Sequence, residues 1–257
     1  MAIAFDTSTT PGSFPTGSGS WSHTTSGSNR ILFVGITSFA GDLVTAVTYA
    51  GASMTLIGKA TRPGGSRATY LYYRIAPTSG ANNVSVTITG SVQWAGNAVS
   101  YTGVNQTGQP DSSAQVTASS VPTFTMSTTV VNQNAWLVAG GDLDTTPITG
   151  GTGTTIRQNL GGDSSAIGDS NGTVSTGSQS LIFVGGGTGN AAGVIASFFP
   201  SDVAFNTSDT VITTESRLFG AGFTTSDTIV SSEVNSVKNG FSPQQKNTST
   251  WTAQTKN

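Results

Sequence analysis

The sequence lacks cysteine and has few charged residues, and both shortages exclude classes of protein. None of its 257 residues is Cys, and only 9% are charged. Without thiols there are no disulfides, no thiolate catalysis and no Cys-based zinc site. The 10 Lys and Arg residues are scattered along the chain. Nucleic-acid binding is therefore disfavoured, because phosphate recognition needs clustered cations.

The residues that replace the charges are mostly Thr, Ser, Gly and Asn, with 12 Phe, 5 Tyr and 4 Trp among them. A net charge of -2 and this aromatic content favour a folded core over disorder. A neutral, hydroxyl-rich surface is typical of extracellular and virion β-proteins. The segment Met1–Asp6 has neither the basic nor the apolar region of a signal peptide. A phage protein, made in the host cytoplasm and released by lysis, reconciles the two observations. The alternative is a mature or recombinant fragment whose leader was removed.

The hydrophobic pattern predicts an all-β body. Residues 31–36 form a continuous apolar run that suits a central strand, and residues 83–89 alternate with Val84, Val86 and Ile88 inward. Tyr70 and Tyr72 are expected on one face of a strand, with Leu71 and Tyr73 on the other. About eleven short strands separated by Gly, Asn, Asp, Ser and Pro turns predict an antiparallel sandwich.

The stretch from Leu181 to Phe199 contains no charged residue and is long enough to be considered as a membrane span. Its Gly-rich centre, Gly185–Gly187, divides it into two short apolar runs. This pattern predicts a buried hairpin and no membrane span.

The C-terminal part carries an internal repeat. Phe205, Phe223 and Phe241 recur at intervals of 18 residues, and Trp251 opens a shorter echo of the third unit. Short repeats cannot bury a core alone and pack on neighbours. The chain is therefore predicted to have a lead-in (1–29), a β-sandwich body (30–200) and a repeat-bearing arm (201–257). The four aromatic residues are predicted to anchor the arm in docking or oligomerisation.

Candidates for catalysis are few. His23 is the only histidine, lies in a polar segment, and is predicted to be a surface imidazole rather than part of a triad. Glu215 and Glu233 occupy matching positions of the repeat, which explains them better than a pair of glycosidase carboxylates. The sequence therefore predicts no catalytic residues, no cofactor and no enzyme activity.

Candidates for binding come from rings and carboxylates. Tyr72, Trp94 and Tyr101 are candidates for stacking on a sugar, the alternative being that such rings belong to the core. Asp142 and Asp144 could contribute to a calcium site, the alternative being that they cap turns.

Residues from about Gly19 to Pro200 resemble a lectin-like (jelly-roll) sandwich family found in bacterial surface proteins and tailed-phage virions. The residues that carry this resemblance are 27–35, 47–51, 54–56, 70–74, 84–89 and 98–107. It implies an antiparallel jelly-roll or lectin-like β-sandwich, to which the repeat adds a short C-terminal β extension. The resemblance supplies no catalytic residues.

These observations predict a structural protein of a phage virion, either a capsid decoration or a fibre or spike component. Its partners would be copies of itself or other virion proteins, on the outside of the particle. The alternative is a carbohydrate-binding adhesion module of a bacterial surface or a phage tail tip, with surface glycans as its partners. Neither nucleic acid nor a membrane is expected as a partner.

Overall fold

The computed structural model describes residues 1–12, 15–159 and 165–201. They form strands throughout, with bends and turns between them. In chain order the strands are β1 (Ala4–Thr9), β2 (Gly19–Thr25), β3 (Ile31–Ser38), β4 (Val44–Tyr49), β5 (Ala52–Ser53), β6 (Thr55–Thr61), β7 (Ala68–Ile75), β8 (Gly80–Ile88), β9 (Trp94–Thr102), β10 (Ser112–Val130), β11 (Trp136–Leu143), β12 (Thr149–Gly150), β13 (Thr155–Asn159), β14 (Ser165–Asp169) and β15 (Gly177–Phe198). Within these residues, no helix is long and apolar enough to cross a membrane.

The strands pair antiparallel in three sheets. The central sheet has the order β1-β9-β3-β7-β6, and the outer sheet has the order β2-β8-β4-β5. The C-terminal sheet has the order β10-β15-β11-β14-β13, with β12 also paired to β15. The predicted all-β class with antiparallel sheets is confirmed, and the jelly-roll subclass stays a prediction.

The central sheet is covered on both faces, and β3 shows this most clearly. Leu32 and Val34 belong to a core shared with the outer sheet, whereas Ile31 and Phe33 belong to a core shared with the C-terminal sheet. All eight residues of β3 are buried. A continuous apolar run is what a strand covered on both faces needs, because neither of its alternating side-chain rows contacts water.

The two alternation predictions are confirmed. Tyr70 and Tyr72 pack in the core toward the outer sheet, and Leu71 and Tyr73 pack toward the C-terminal sheet. Val84, Val86 and Ile88 of β8 also face the first of these cores.

β10 and β15 pair as one long ribbon within the C-terminal sheet. The part of this ribbon that carries Phe124 and Phe183 bends over β11, on the face of the sheet that is turned away from the central sheet. The register of its pairing shifts between Ala118 and Thr123. Beyond the bend, the Phe183 ring lies so close to Gly141 of β11 that a Cβ there would be 2.8 Å from it. Leu181 to Phe199 is consequently not a hairpin. Residues 181–198 are part of one strand, and its Gly-rich centre packs against Thr145 and Thr146.

Both strands within residues 1–29 pair in the sheets of the body, so this part of the chain is not a separate lead-in. β1 forms one edge of the central sheet and β2 forms one edge of the outer sheet. Trp21 and His23 of β2 are buried. At the other end, the chain divides into units Met1–Asn206 and Thr207–Asn257. The predicted arm lies outside the described residues after Ser201, so its two-part relation to the body stays a prediction.

Candidate functional site

A groove opens where the chain crosses from the outer sheet to the central sheet. β5 ends at Ser53 in the outer sheet, and β6 begins at Thr55 in the central sheet. The groove has a volume of about 390 Å³ and lies between the β4–β5 edge and the β6–β7 edge. Its lining comprises Asp42, Val44, Thr45, Ala46, Val47, Ser53, Met54, Leu56, Lys59, Tyr70 and Tyr72.

Asp42 is the polar centre of the groove. The Tyr70 hydroxyl donates to Asp42 Oδ1 at 2.6 Å, and the Lys59 ammonium donates to Oδ2. The Asp42 and Lys59 side chains are 46% and 48% exposed. The hydrogen bond from Lys59, followed by the one from Tyr70, lowers the pKa of the Asp42 carboxyl. The groove therefore holds a charged, accessible carboxylate whose charge is balanced by an equally accessible ammonium group.

Tyr70 fixes the position of that carboxylate from beneath. Its side chain is buried, and burial together with the hydrogen bond to Asp42 raises the pKa of the Tyr70 hydroxyl. The hydroxyl therefore remains a donor across the physiological range. The rings of Tyr70 and Tyr72 stack with centroids 6.4 Å apart and planes inclined by 24°. Asp42 is thus held by a side chain that is itself packed in the core.

The remaining walls of the groove are largely apolar. Val47 and Met54 are buried, whereas Leu56 is 43% exposed and is one of the few large apolar side chains on the surface of the described body. Ligand sites are characteristically concave and apolar with a few fixed polar groups, and their volumes begin near 300 Å³. The groove has this composition and size.

The three rings predicted to stack on a sugar have different surroundings. Tyr72 is in the wall of the groove. Trp94 and Tyr101 are fully buried, so neither ring offers a face to a sugar, which contradicts the prediction for these two residues. Trp94 packs on Trp21 with ring centroids 5.9 Å apart. The Tyr101 hydroxyl donates to Asp169 at 2.7 Å, and burial raises the pKa of that hydroxyl well above its ordinary value.

His23 is fully buried, so its prediction as a surface imidazole was wrong. Alternation along β2 explains the difference, because Trp21, His23 and Thr25 all point inward from this strand. Its two ring nitrogens lie 2.8 Å from Thr9 Oγ1 and 3.1 Å from Ser100 Oγ.

These contacts belong to a directional hydrogen-bond relay. The Asp6 carboxylate can only accept, so the Ser100 hydroxyl donates to it at 2.8 Å and accepts in turn from His23 Nε2. With its proton on Nε2, the neutral imidazole accepts at Nδ1 from the Thr9 hydroxyl, whose oxygen accepts from Trp21 Nε1. Burial lowers the pKa of His23 to about 4, although the Asp6 charge opposes this shift. The relay is satisfied with a neutral imidazole.

The order of groups in the relay differs from that of a catalytic triad. In a triad the histidine stands between the serine and the aspartate and accepts the serine proton. Here Ser100 stands between His23 and Asp6 and donates its proton to the carboxylate. This arrangement ties β1, β2 and β9 together and does not activate Ser100 as a nucleophile.

The two calcium candidates are held by arginines. Arg62 pairs with Asp142 Oδ2 and, at 3.0 Å, with Asp144 Oδ1, while Arg67 lies 3.2 Å from Asp142 Oδ1. Burial raises the pKa of Asp142 against the attraction of both arginines. Both oxygens of Asp142 thus serve an ion-pair cluster that links the β6–β7 loop to β11. Among residues 1–12, 15–159 and 165–201, no group of three acidic or histidine side chains could hold a metal ion.

The four predicted docking aromatics, Phe205, Phe223, Phe241 and Trp251, lie outside the described residues, as do Glu215 and Glu233. The sequence did not indicate Asp42 or Lys59 as site residues. The alternation at Tyr70 and Tyr72 was a usable signal for one wall of the groove. Nothing in the local sequence pattern links Asp42 to Lys59, because Asp42 precedes β4 of the outer sheet and Lys59 lies in β6 of the central sheet.

Comparison of the chain with protein-family models, curated proteins and solved structures gives no match.

Proposed function

We propose that this protein is a structural component of a bacteriophage virion and works by assembly and binding rather than by catalysis. In this proposal the β body is a rigid platform on the outside of the particle, as a capsid decoration or as part of a fibre or spike. The C-terminal repeat is the element that docks on another copy or on another virion protein. The protein is made in the host cytoplasm and needs no cofactor.

The observation that carries this proposal is the anchored exit of the chain from the body. Ser201 donates its backbone N–H to Gly103 O at 2.8 Å, and its hydroxyl oxygen accepts from Asn29 Nδ2 at 3.3 Å. Pro200 forms an isolated bridge with Val104. The repeat opens at Phe205, four residues after this anchor. The chain is thus held by the body as far as Ser201, and the segment proposed to dock on a partner follows this anchor in the sequence.

The polar clusters of the body support a non-catalytic role. His23 and Ser100 are joined in the buried relay, and Asp142 is surrounded by Arg62 and Arg67. Asp169 is likewise buried and accepts from Tyr101 and Arg157. These groups connect strands and sheets, which suits a rigid platform for assembly.

The docking step itself would draw on the aromatic residues of the repeat. Burying one such ring is worth about 1.5–3 kcal/mol before the cost of ordering the chain. Several rings together, at Phe205, Phe223, Phe241 and Trp251, would give a useful association energy. Short β-prone segments can add further affinity by pairing with a strand edge of the partner.

The test compares Phe223→Ser with Val131→Ser in the full-length chain. Val131 is 66% exposed on the body and serves as a matched loss of one exposed apolar side chain. We expect Phe223→Ser to reduce the mass measured by light scattering, or the incorporation into particles, while the thermal melt of the body changes little. The control should leave both measurements unchanged. Normal assembly of Phe223→Ser with a lowered melting temperature would overturn the proposal, because the ring would then serve the folding of the chain itself.

A further inference from the structure

The groove combines an accessible acceptor with an accessible donor at fixed positions. Tyr70 and Lys59 each donate to one oxygen of Asp42. Because each carboxylate oxygen can accept two hydrogen bonds, Asp42 retains capacity for the hydroxyl of a ligand. Lys59 has three N–H donors, and one of them faces Asp42. Two neighbouring hydroxyls of a ligand could therefore donate to Asp42 and accept from Lys59.

The charge of the groove selects against charged ligands. Among the described residues that line the groove, only Asp42 and Lys59 are of the acidic or basic types that carry a charge at neutral pH, and their two charges are in contact. An anion bound to Lys59 would be repelled by Asp42, and a cation bound to Asp42 would be repelled by Lys59. A neutral ligand meets neither penalty.

The apolar wall requires a ligand with a nonpolar face. Leu56 is 43% exposed, and Met54 and Val47 continue the same surface inward. One side of a pyranose ring presents C–H groups, while its edge presents hydroxyls. A sugar ring thus matches both the apolar wall and the polar end of the groove.

We propose that the groove binds a neutral sugar ring, with neighbouring hydroxyls on Asp42 and Lys59 and its C–H face against Leu56. This site is independent of the docking role proposed for the C-terminal repeat. It involves Tyr72 as a wall of the groove, and it does not use Trp94 or Tyr101, which are buried. Tyr70 acts as a positioning residue, since its hydroxyl holds the Asp42 carboxylate.

The experiment uses the full-length chain and saturation-transfer NMR with a panel of neutral sugars: glucose, galactose, mannose and N-acetylglucosamine. Sialic acid and glucosamine serve as charged comparisons. We expect saturable binding of at least one neutral sugar and weaker or undetectable binding of the charged ones. Saturable binding of the charged sugars alone, or of no sugar in the panel, would overturn the proposal.

Two variants locate the site. Asp42→Asn should weaken binding of the neutral sugar by about tenfold, because the sugar hydroxyl then donates to a neutral amide oxygen instead of a charged carboxylate. Leu56→Ser should weaken it severalfold. The matched controls are Asp144→Asn, a 53%-exposed carboxylate paired with an arginine outside the groove, and Val131→Ser. Thermal melts check that each variant is folded. Equal affinity in wild type and both groove variants would show that any sugar binds elsewhere. Since light scattering and particle incorporation do not depend on this groove, the assembly proposal stands or falls separately.

Discussion

The β6–β7 hairpin carries aspartate ion pairs in two contrasting environments. Lys59 of β6 pairs with Asp42, and both side chains are about half exposed at the groove. Arg62, three residues further along, pairs with Asp142, and these side chains are 3% and 0% exposed. Arg67, at the other end of the same loop, also reaches Asp142 and lies over the Phe39 ring at 4.2 Å.

The difference shows that burial, more than the type of ion pair, determines what the charges do. Water shares the solvation of Asp42 and Lys59, so this pair adds little stability but remains available to a ligand. The buried carboxylate of Asp142 has lost most of its hydration, and Arg62 and Arg67 take the place of the water around it. One pair can recognise an external molecule, whereas the other fastens the central sheet to the C-terminal sheet.

The largest expected effect comes from breaking the buried pair. Arg62→Met removes the arginine at Asp142 Oδ2 and leaves this buried carboxylate with Arg67 alone, and we expect the free energy of unfolding to fall by about 3–5 kcal/mol. Urea denaturation measures this loss.

The double variant Arg62→Met with Asp142→Leu is the control for that result. It removes both charges, so most of the lost stability should return. Arg67 remains in the double variant and keeps the recovery incomplete. A single variant as stable as wild type would show that Arg67 alone compensates Asp142, and the contrast with the groove pair would disappear.

The sequence predicts the strands much better than it predicts these pairs. Period-two alternation and the apolar run of residues 31–36 are local signals, and they correctly indicate β strands and the faces of Tyr70 and Tyr72. The choice of sheet is not local. Asp142 meets Arg62 across 80 positions of sequence, and no pattern in either segment marks the contact.

Residues 1–29 were predicted to be a lead-in with a surface histidine because their composition is polar. Alternation buries one side of β2 whatever its mean hydropathy, so a strand rich in Ser, Thr and His still contributes a core face. His23 is buried because Thr9 and Ser100 satisfy both of its ring nitrogens. Such compensation depends on partners in other strands, which a scan of one segment does not reveal.

His23 differs from the Asp142 cluster because it is a buried titratable group that is neutral at physiological pH. The pKa of His23 is about 4 in the folded protein and 6.5 in the unfolded chain. Above pH 6.5 both states hold a neutral imidazole, and its contribution to stability is complete. As the pH falls from 6.5 to about 4, the unfolded chain takes up a proton that the folded chain excludes. Stability should therefore decrease by about 3 kcal/mol across this range.

Urea denaturation at pH 7.5, 5.5 and 4.5 measures this decrease. His23→Gln is the matched variant, because its amide can donate to Ser100 and accept from Thr9 without titrating. Its stability should depend much less on pH over the same range. A wild-type dependence that persists in His23→Gln would assign the effect to other groups.

The smallest expected effect comes from breaking the exposed pair. Asp42→Ala removes an ion pair that water already solvates, so we expect the free energy of unfolding to change by less than about 1 kcal/mol. Part of that change would come from the Tyr70 hydroxyl, which loses its acceptor but lies next to the open groove. The measurement is urea denaturation under the conditions used for Arg62→Met, so that the two losses are directly comparable. A loss from Asp42→Ala as large as that from Arg62→Met would mean that the groove pair also fastens two sheets together. Its exposure would then not reserve it for a ligand, and the distinction between the two sides of the β6–β7 hairpin would fail.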